Sequence, residues 1–176
     1  MFHTCWLATA FGAAHQVPWL GPAFVVPAVI LHLVLVDQSG RETILLLIVA
    51  ILGYGHDTLH LVFGNLNFHT SLIMGYLPPL WMFFQWLIFA TLLRLSLAWM
   101  KDRWLITAIV GAVGGPLAYW GAFTLNSLLL PGNVLLDLGF MALSWGLFLP
   151  FVVWIAHYGN IFDKDETTYA SYSQAM

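Results

Sequence analysis

"GYGHDTLHLVFGN", residues 53–65, follows the apolar run "TILLLIVAIL", residues 43–52, and sets His56, Asp57 and His60 where hydrocarbon is expected. The reading of this stretch decides the fold. Of the whole chain, 61% is hydrophobic and only 7% charged, against about a quarter charged in ordinary soluble domains. A soluble protein of 176 residues needs a polar outer surface, and five Lys and Arg with eight Asp and Glu cannot cover one. A bilayer removes that need, so His56, Asp57 and His60 read as polar groups inside a membrane-spanning helix.

A hydrocarbon slab about 30 Å thick takes roughly 20 helical residues to cross. Six apolar runs bounded by turn signals meet or approach that length: roughly 2–15, 18–36, Thr43 to Gly64, Pro78 to Met100, Trp104 to Leu130 and Val134 to Tyr158. The expected fold is all-α, a polytopic membrane protein with a bundle of six transmembrane helices over residues 1–158. Residues 159–176, "GNIFDKDETTYASYSQAM", are expected to form a polar cytoplasmic tail. The first run is the shortest. It is a poor secretory signal, because no cation precedes it and the apolar pattern resumes at once.

Short loops rich in Lys and Arg stay in the cytoplasm. Arg41, Lys101, Arg103 and Lys164 fall between runs two and three, between four and five, and after six. The other three links hold none. With six spans, both termini are then cytoplasmic. Trp99, Trp104, Trp154 and Tyr158 near the inner boundary, with Trp19, Tyr76 and Trp81 near the outer, fit interfacial aromatic belts. A formal charge of −3 and the lack of a basic run argue against a nucleic-acid partner. Cys5 is the only cysteine, which excludes an internal disulfide and CxxC chemistry.

At 1.5 Å per residue, Asp57 lies roughly 20 Å from the cytoplasmic end of the third run, in the outer half of the slab. An aspartate there costs on the order of 2.5–3.5 kcal/mol to insert, which the surrounding Leu, Ile, Val and Phe offset. It is expected to face inward. Gly53, Asp57, His60 and Gly64 share one helical stripe whose glycines admit a close neighbour. Gln85, Tyr119, Asn126 and Asp137 lie at matching depth on other runs, and with His15, His56 and His60 they outline an outward polar pocket. Asp57 and His60 are its candidate acid–base pair, with Tyr119 and Gln85 as orienting donors.

Each feature also has a plainer reading. Asp57 can serve as an interhelical hydrogen-bond anchor. His56 and His60, at i and i+4, have zinc-ligand spacing but lack the glutamate of HExxH and a third ligand, so hydrogen-bonded histidines are the stronger reading and no metal is assigned. Arg94 is placed to snorkel to the cytoplasmic headgroups or to contact a lipid phosphate. In "GAVGGPLAYWG", residues 111–121, Gly111 and Gly115 form a small-xxx-small pair and Pro116 removes a backbone donor. Close packing is the favoured reason, a hinge the minority one. No GxSxG elbow, Walker loop, dinucleotide fingerprint or haem-attachment motif occurs, and the cofactor remains unknown.

The order of "GYGHD…LHLVFGNLNF", "PLWMFFQWLIFATLLRLSLAW" and "GAVGGPLAYWGA" resembles a small bacterial integral-membrane family, domain of unknown function 2878. The resemblance spans nearly the whole chain to about Ile155. It rests on the Gly53 to Asp57 segment, on Trp81 and Trp86, and on Gly115-Pro116-Leu117-Ala118-Tyr119. It implies an inner-membrane location in Gram-negative-type bacteria and no established activity. Genes of the family often lie beside lipid-modification genes, an association that carries no mechanism.

Three functions follow as expectations. The first is a membrane-embedded enzyme or accessory acting on membrane lipid. The second is a small proton-coupled transporter, in which Asp57 takes up and releases a proton. The third is a non-catalytic subunit whose glycine-lined helices contact a partner membrane protein or a second copy of the chain.

Overall fold

The computed structural model describes residues 1–69 and 76–158, which form six α-helices. They are α1 (Phe2–Ala14), α2 (Leu20–Leu35), α3 (Ser39–Val62), α4 (Leu80–Ala90), α5 (Trp104–Thr124) and α6 (Val134–Tyr158), with a 3₁₀ turn over Ala98–Met100. Asn67 and Leu129 form an isolated β bridge. The expected tail, residues 159–176, lies outside the described residues.

Burial is inverted relative to a water-soluble protein. Leu135, Leu147, Val34 and Leu105 stand at least 74% exposed, while Asp57 is 0% and Glu42 and His32 are each 4% exposed. An outer surface of aliphatic side chains around buried charge is stable in hydrocarbon and not in water. The pattern is the one a membrane protein shows. Helices α3, α5 and α6, at 24, 21 and 25 residues, are long and apolar enough to cross a bilayer, reaching roughly 36, 32 and 38 Å. Helices α1, α2 and α4, at 13, 16 and 11 residues, are shorter than the runs suggest.

Local chemistry explains the shortfall. Helix α4 stops at Ala90, where the Thr91 hydroxyl turns back to the Ile88 carbonyl at 2.7 Å. The chain then winds on through irregular turns, such as Leu93 N–H to Ala90 O at 3.2 Å, until the 3₁₀ turn. The sequence pattern ran α5 on to Leu130, but the helix ends at Thr124 because Asn126 adopts φ 60°. Its N–H bonds Phe123 O, and the next N–H, of Ser127, reaches Ala122 O. This is a left-handed Schellman stop. Gly64 at φ 78° ends α3 and Gln16 at φ 59° ends α1 with the same pair of bonds.

Three helix ends at one face of the bundle thus use one device. Gln16 is the least suited to it, because a side chain with a Cβ is disfavoured in the left-handed region. Gln16→Gly is expected to stabilise the protein by about 0.5–1 kcal/mol and Asn126→Val to destabilise it by about 1–2 kcal/mol. Thermal unfolding in detergent checks both.

The opposite face gathers Arg41, Arg94, Lys101 and Arg103, which fall at the start of α3, in the turns after α4 and just before α5. It is pinned by contacts among the described elements: Arg94 Nε donates to Ala156 O of α6 at 2.9 Å, and the Tyr158 hydroxyl donates to Asp102. Helices α5 and α6 form the closest pair. A Cβ on Gly111 would stand 2.3 Å from the Trp145 carbonyl oxygen, so only glycine lets the two backbones approach this far. Pro116 sits inside an uninterrupted α5.

Candidate functional site

The Asp57 carboxylate is fully buried among α3, α4 and α5. Trp86 Nε1 donates to its Oδ2 at 2.5 Å, and the Tyr119 hydroxyl donates to its Oδ1. Both oxygens are therefore held by groups from other helices. What lets the tryptophan reach is the absent side chain at Gly53, where a Cβ would lie 2.0 Å from the Trp86 ring. Trp86 in turn stacks on Trp145 of α6, with centroids 5.1 Å apart and planes at 14°. Gly115 plays the same part on the far side, a Cβ there falling 2.3 Å from the Trp145 ring. Gly53, two stacked indoles and Gly115 make one layered contact across four helices.

Beside the carboxylate runs a polar chain. Asn65 Nδ2 donates to His60 Nδ1 at 2.7 Å, and His60 Nε2 lies 2.8 Å and His56 Nε2 3.1 Å from Ser144 Oγ. The Ser144 hydroxyl donates to the Met141 carbonyl at 3.0 Å. One order of donation satisfies all four contacts: both histidines give their Nε2 proton to the serine oxygen, which has two lone pairs. That order leaves His56 Nδ1 bare, and it faces Asp57 Oδ1 at 3.6 Å without a hydrogen bond. The two atoms are close enough to attract each other if the imidazole is protonated, but at this separation they share no hydrogen bond.

Trp86, Tyr119 and Trp145 also form a wall of an apolar groove of about 240 Å³ between α1 and α4 on one side and α5 and α6 on the other. Gln85 lies in the same wall, and its Oε1 is buried with no hydrogen-bond partner. The groove and the carboxylate are thus separated by one layer of side chains.

Of the residues expected to form the pocket, the structure brings together Asp57, His56, His60 and Tyr119, and Gln85 joins Tyr119 in the groove wall. Three others stand elsewhere. Asn126 is exposed and terminates α5. Asp137 Oδ2 accepts from the Gly132 N–H at 3.0 Å in the first turn of α6, a helix-start role favoured by the helix dipole. His15 is exposed, its Nδ1 3.1 Å from the Phe11 carbonyl. Gly64 is likewise a helix stop rather than a packing glycine, since a Cβ there would meet nothing.

Arg94 does more than snorkel. Its NH1 lies 3.4 Å from Glu42 Oε2, and Glu42 Oε1 lies 2.9 Å from His32 Nε2, which makes a His–Glu–Arg cluster at the basic face with the histidine and glutamate buried. Glu42 falls in the link before the third run, and the sequence reading gives it no role. Glu42→Ala strands His32 and Arg94 together and is expected to cost about 2 kcal/mol, less than a fully buried pair because the Arg94 side chain is 33% exposed. Glu42→Gln retains an acceptor and is expected to cost less than half as much. Unfolding titrations in detergent measure the difference.

Residues 1–151 match the family model described as "Protein of unknown function (DUF2878)". The chain belongs to this family. No curated protein and no solved structure gives a match. Within the region shared with DUF2878 lie all the groups around Asp57, including Ser144, Trp145 and Asn65, which the sequence reading passed over. Ser144 carried a usable signal, as the one serine or threonine in the 25-residue apolar helix α6. Asn65 did not, because it follows the helix end and its approach to His60 depends on the Gly64 turn.

Proposed function

We propose that this DUF2878 protein takes part in modifying membrane lipid in a bacterial inner membrane, with Asp57 and the histidines beside it as its acid–base machinery. The observation that carries the reading is the shared wall: the side chains that hold the Asp57 carboxylate, Trp86 and Tyr119, also line the apolar groove. Lipid is the apolar reactant a bilayer supplies. His60 and His56 would relay the proton, Tyr119 would orient the carboxylate, and Gln85 would hold a polar group of the lipid. The test is the lipid composition of a deletion strain. It should change, return with the wild-type gene, and not return with Asp57→Asn; an unchanged composition removes the reading.

In this reading six segments are embedded, α3, α5 and α6 crossing fully and α4 completing its passage through the turns up to Met100. The basic face lies in the cytoplasm by the rule for cationic loops, and both ends of the described bundle face that side. Helix α1, of about 20 Å, is the segment on which the N-terminal side depends. A cysteine at His3 is expected to react with an impermeant thiol reagent in inside-out vesicles and not in intact spheroplasts.

A second reading is favoured by a specific feature, the hydrogen-bonded run from His60 through Ser144 to His56, whose free Nδ1 stands 3.6 Å from Asp57. Such a chain suits a small proton-coupled permease. Proton uptake in proteoliposomes that is abolished by Asp57→Asn, with lipids unchanged in the deletion strain, would favour transport instead.

A further inference from the structure

We propose that the groove seats one acyl chain of a single membrane phospholipid, its ester end at Gln85 and Tyr119 and its tail running to Leu97 and Val110. The proposal rests on the membrane-lipid reading above and names the occupant of that site. Four features argue for it.

The first is length. The groove wall runs along α5 from Ala122 to Val110, a rise of about 18 Å, of which Tyr119 to Val110 takes about 13–14 Å, close to the roughly 15 Å of one leaflet's hydrocarbon. The second is width. Spread over the whole length, the roughly 240 Å³ open to the centre of a water-sized sphere is a column about 4 Å across, or about 7 Å once the sphere's radius is added on each side, narrower than a partner helix at about 10 Å. A single alkyl chain is the apolar body slender enough to enter.

The third is the mouth. Gly114 lies in the groove wall and is exposed, and Val113 and Leu117 beside it are 54% and 57% exposed. These are faces that meet lipid in the bilayer, so an acyl chain enters sideways without crossing water. The fourth is the polar end. Gln85 Oε1 is buried without a partner in a mostly apolar wall, as is Trp145 Nε1, and buried polar atoms of this kind are ordinarily satisfied by some group. Turning the amide offers its N–H₂ to an ester carbonyl. Helix α3, at about 36 Å, overshoots a 30 Å slab by about 3 Å at each end. That puts Asp57, and Tyr119 with it, within about one helical turn of the hydrocarbon boundary, where phospholipid esters lie.

The test uses the purified full chain in detergent, delipidated and then mixed with phosphatidylethanolamine, with bound lipid read by native mass spectrometry. Wild type is expected to hold one phospholipid per chain. Gly114→Phe, at a position where a Cβ meets nothing, should fold but plug the mouth, lowering the bound fraction roughly fivefold or more, as overfilling a formed site does. Val113→Phe, on the lipid-facing side, should leave it unchanged, and Ala118→Leu gives a second plug should Gly114→Phe fail to fold. Among single-chain lysophospholipids, retention should rise from decanoyl to tetradecanoyl and gain nothing further at octadecanoyl. No retained lipid in wild type, or equal retention in plug and control, overturns the proposal, as does a bound protein in place of lipid. Retained lipid with an unchanged deletion strain would keep the groove as a lipid site and remove only the lipid-modification reading.

Discussion

Gly53→Leu is expected to abolish the folded bundle. The first atom of the new side chain would already lie 2.0 Å from the Trp86 ring, and the ring has nowhere to retreat: its other face stacks on Trp145, which is itself backed by Gly115. Overpacking typically costs about 1–3 kcal/mol where neighbours can adjust. Here a rigid two-ring stack must shift and the Trp86 bond to Asp57 must break with it, so even Gly53→Ala should cost about 3 kcal/mol or more. The control is Gly55→Leu, two residues away, where a Cβ meets nothing and the side chain points outward. Gel filtration in detergent should show a monodisperse peak for Gly55→Leu and aggregated or absent protein for Gly53→Leu. Trp86→Leu in the Gly53→Ala background should recover part of the loss.

The second large effect separates stability from chemistry at one residue. Asp57→Ala leaves the Trp86 N–H and the Tyr119 hydroxyl without their acceptor in a buried interior. At about 1–3 kcal/mol for each orphaned group, reduced by the smaller values measured within membranes, the loss should be about 2–4 kcal/mol. Asp57→Asn behaves differently. Its oxygen can accept from Trp86, which only donates, while its N–H₂ donates to the Tyr119 oxygen, whose hydroxyl can turn to accept. The asparagine variant should therefore unfold within about 1 kcal/mol of wild type and still fail to restore lipid composition in the deletion strain. An alanine variant as stable as wild type would show that the carboxylate holds nothing.

The physical split between what the sequence disclosed and what it withheld is clear at particular residues. Asp57 was legible because a charge inside a 24-residue apolar helix is too costly to face lipid. The inward direction and matching depth then selected Tyr119 and Gln85, and the glycine stripe announced a close neighbour at Gly53. The neighbour itself was not legible: a stripe says that something approaches, and only coordinates show that it is an indole rather than a backbone. Asn126 and Asp137 were assigned by depth alone, which cannot see helix ends. Both are polar residues used by the chain to stop α5 and start α6. The break of α4 at Thr91 was equally hidden, because "TLLRLSLAW", residues 91–99, keeps its hydropathy while the backbone leaves the α-helix.

The most direct test of the bond between Asp57 and Tyr119, on which the site depends, is a double-mutant cycle of Asp57→Ala and Tyr119→Phe, followed by unfolding in detergent. If the hydroxyl donates to the carboxylate as described, the two losses should fall short of additivity by about 1 kcal/mol or more. Losses that add to within about 0.3 kcal/mol would mean the two groups do not meet, and would contradict the site built around them.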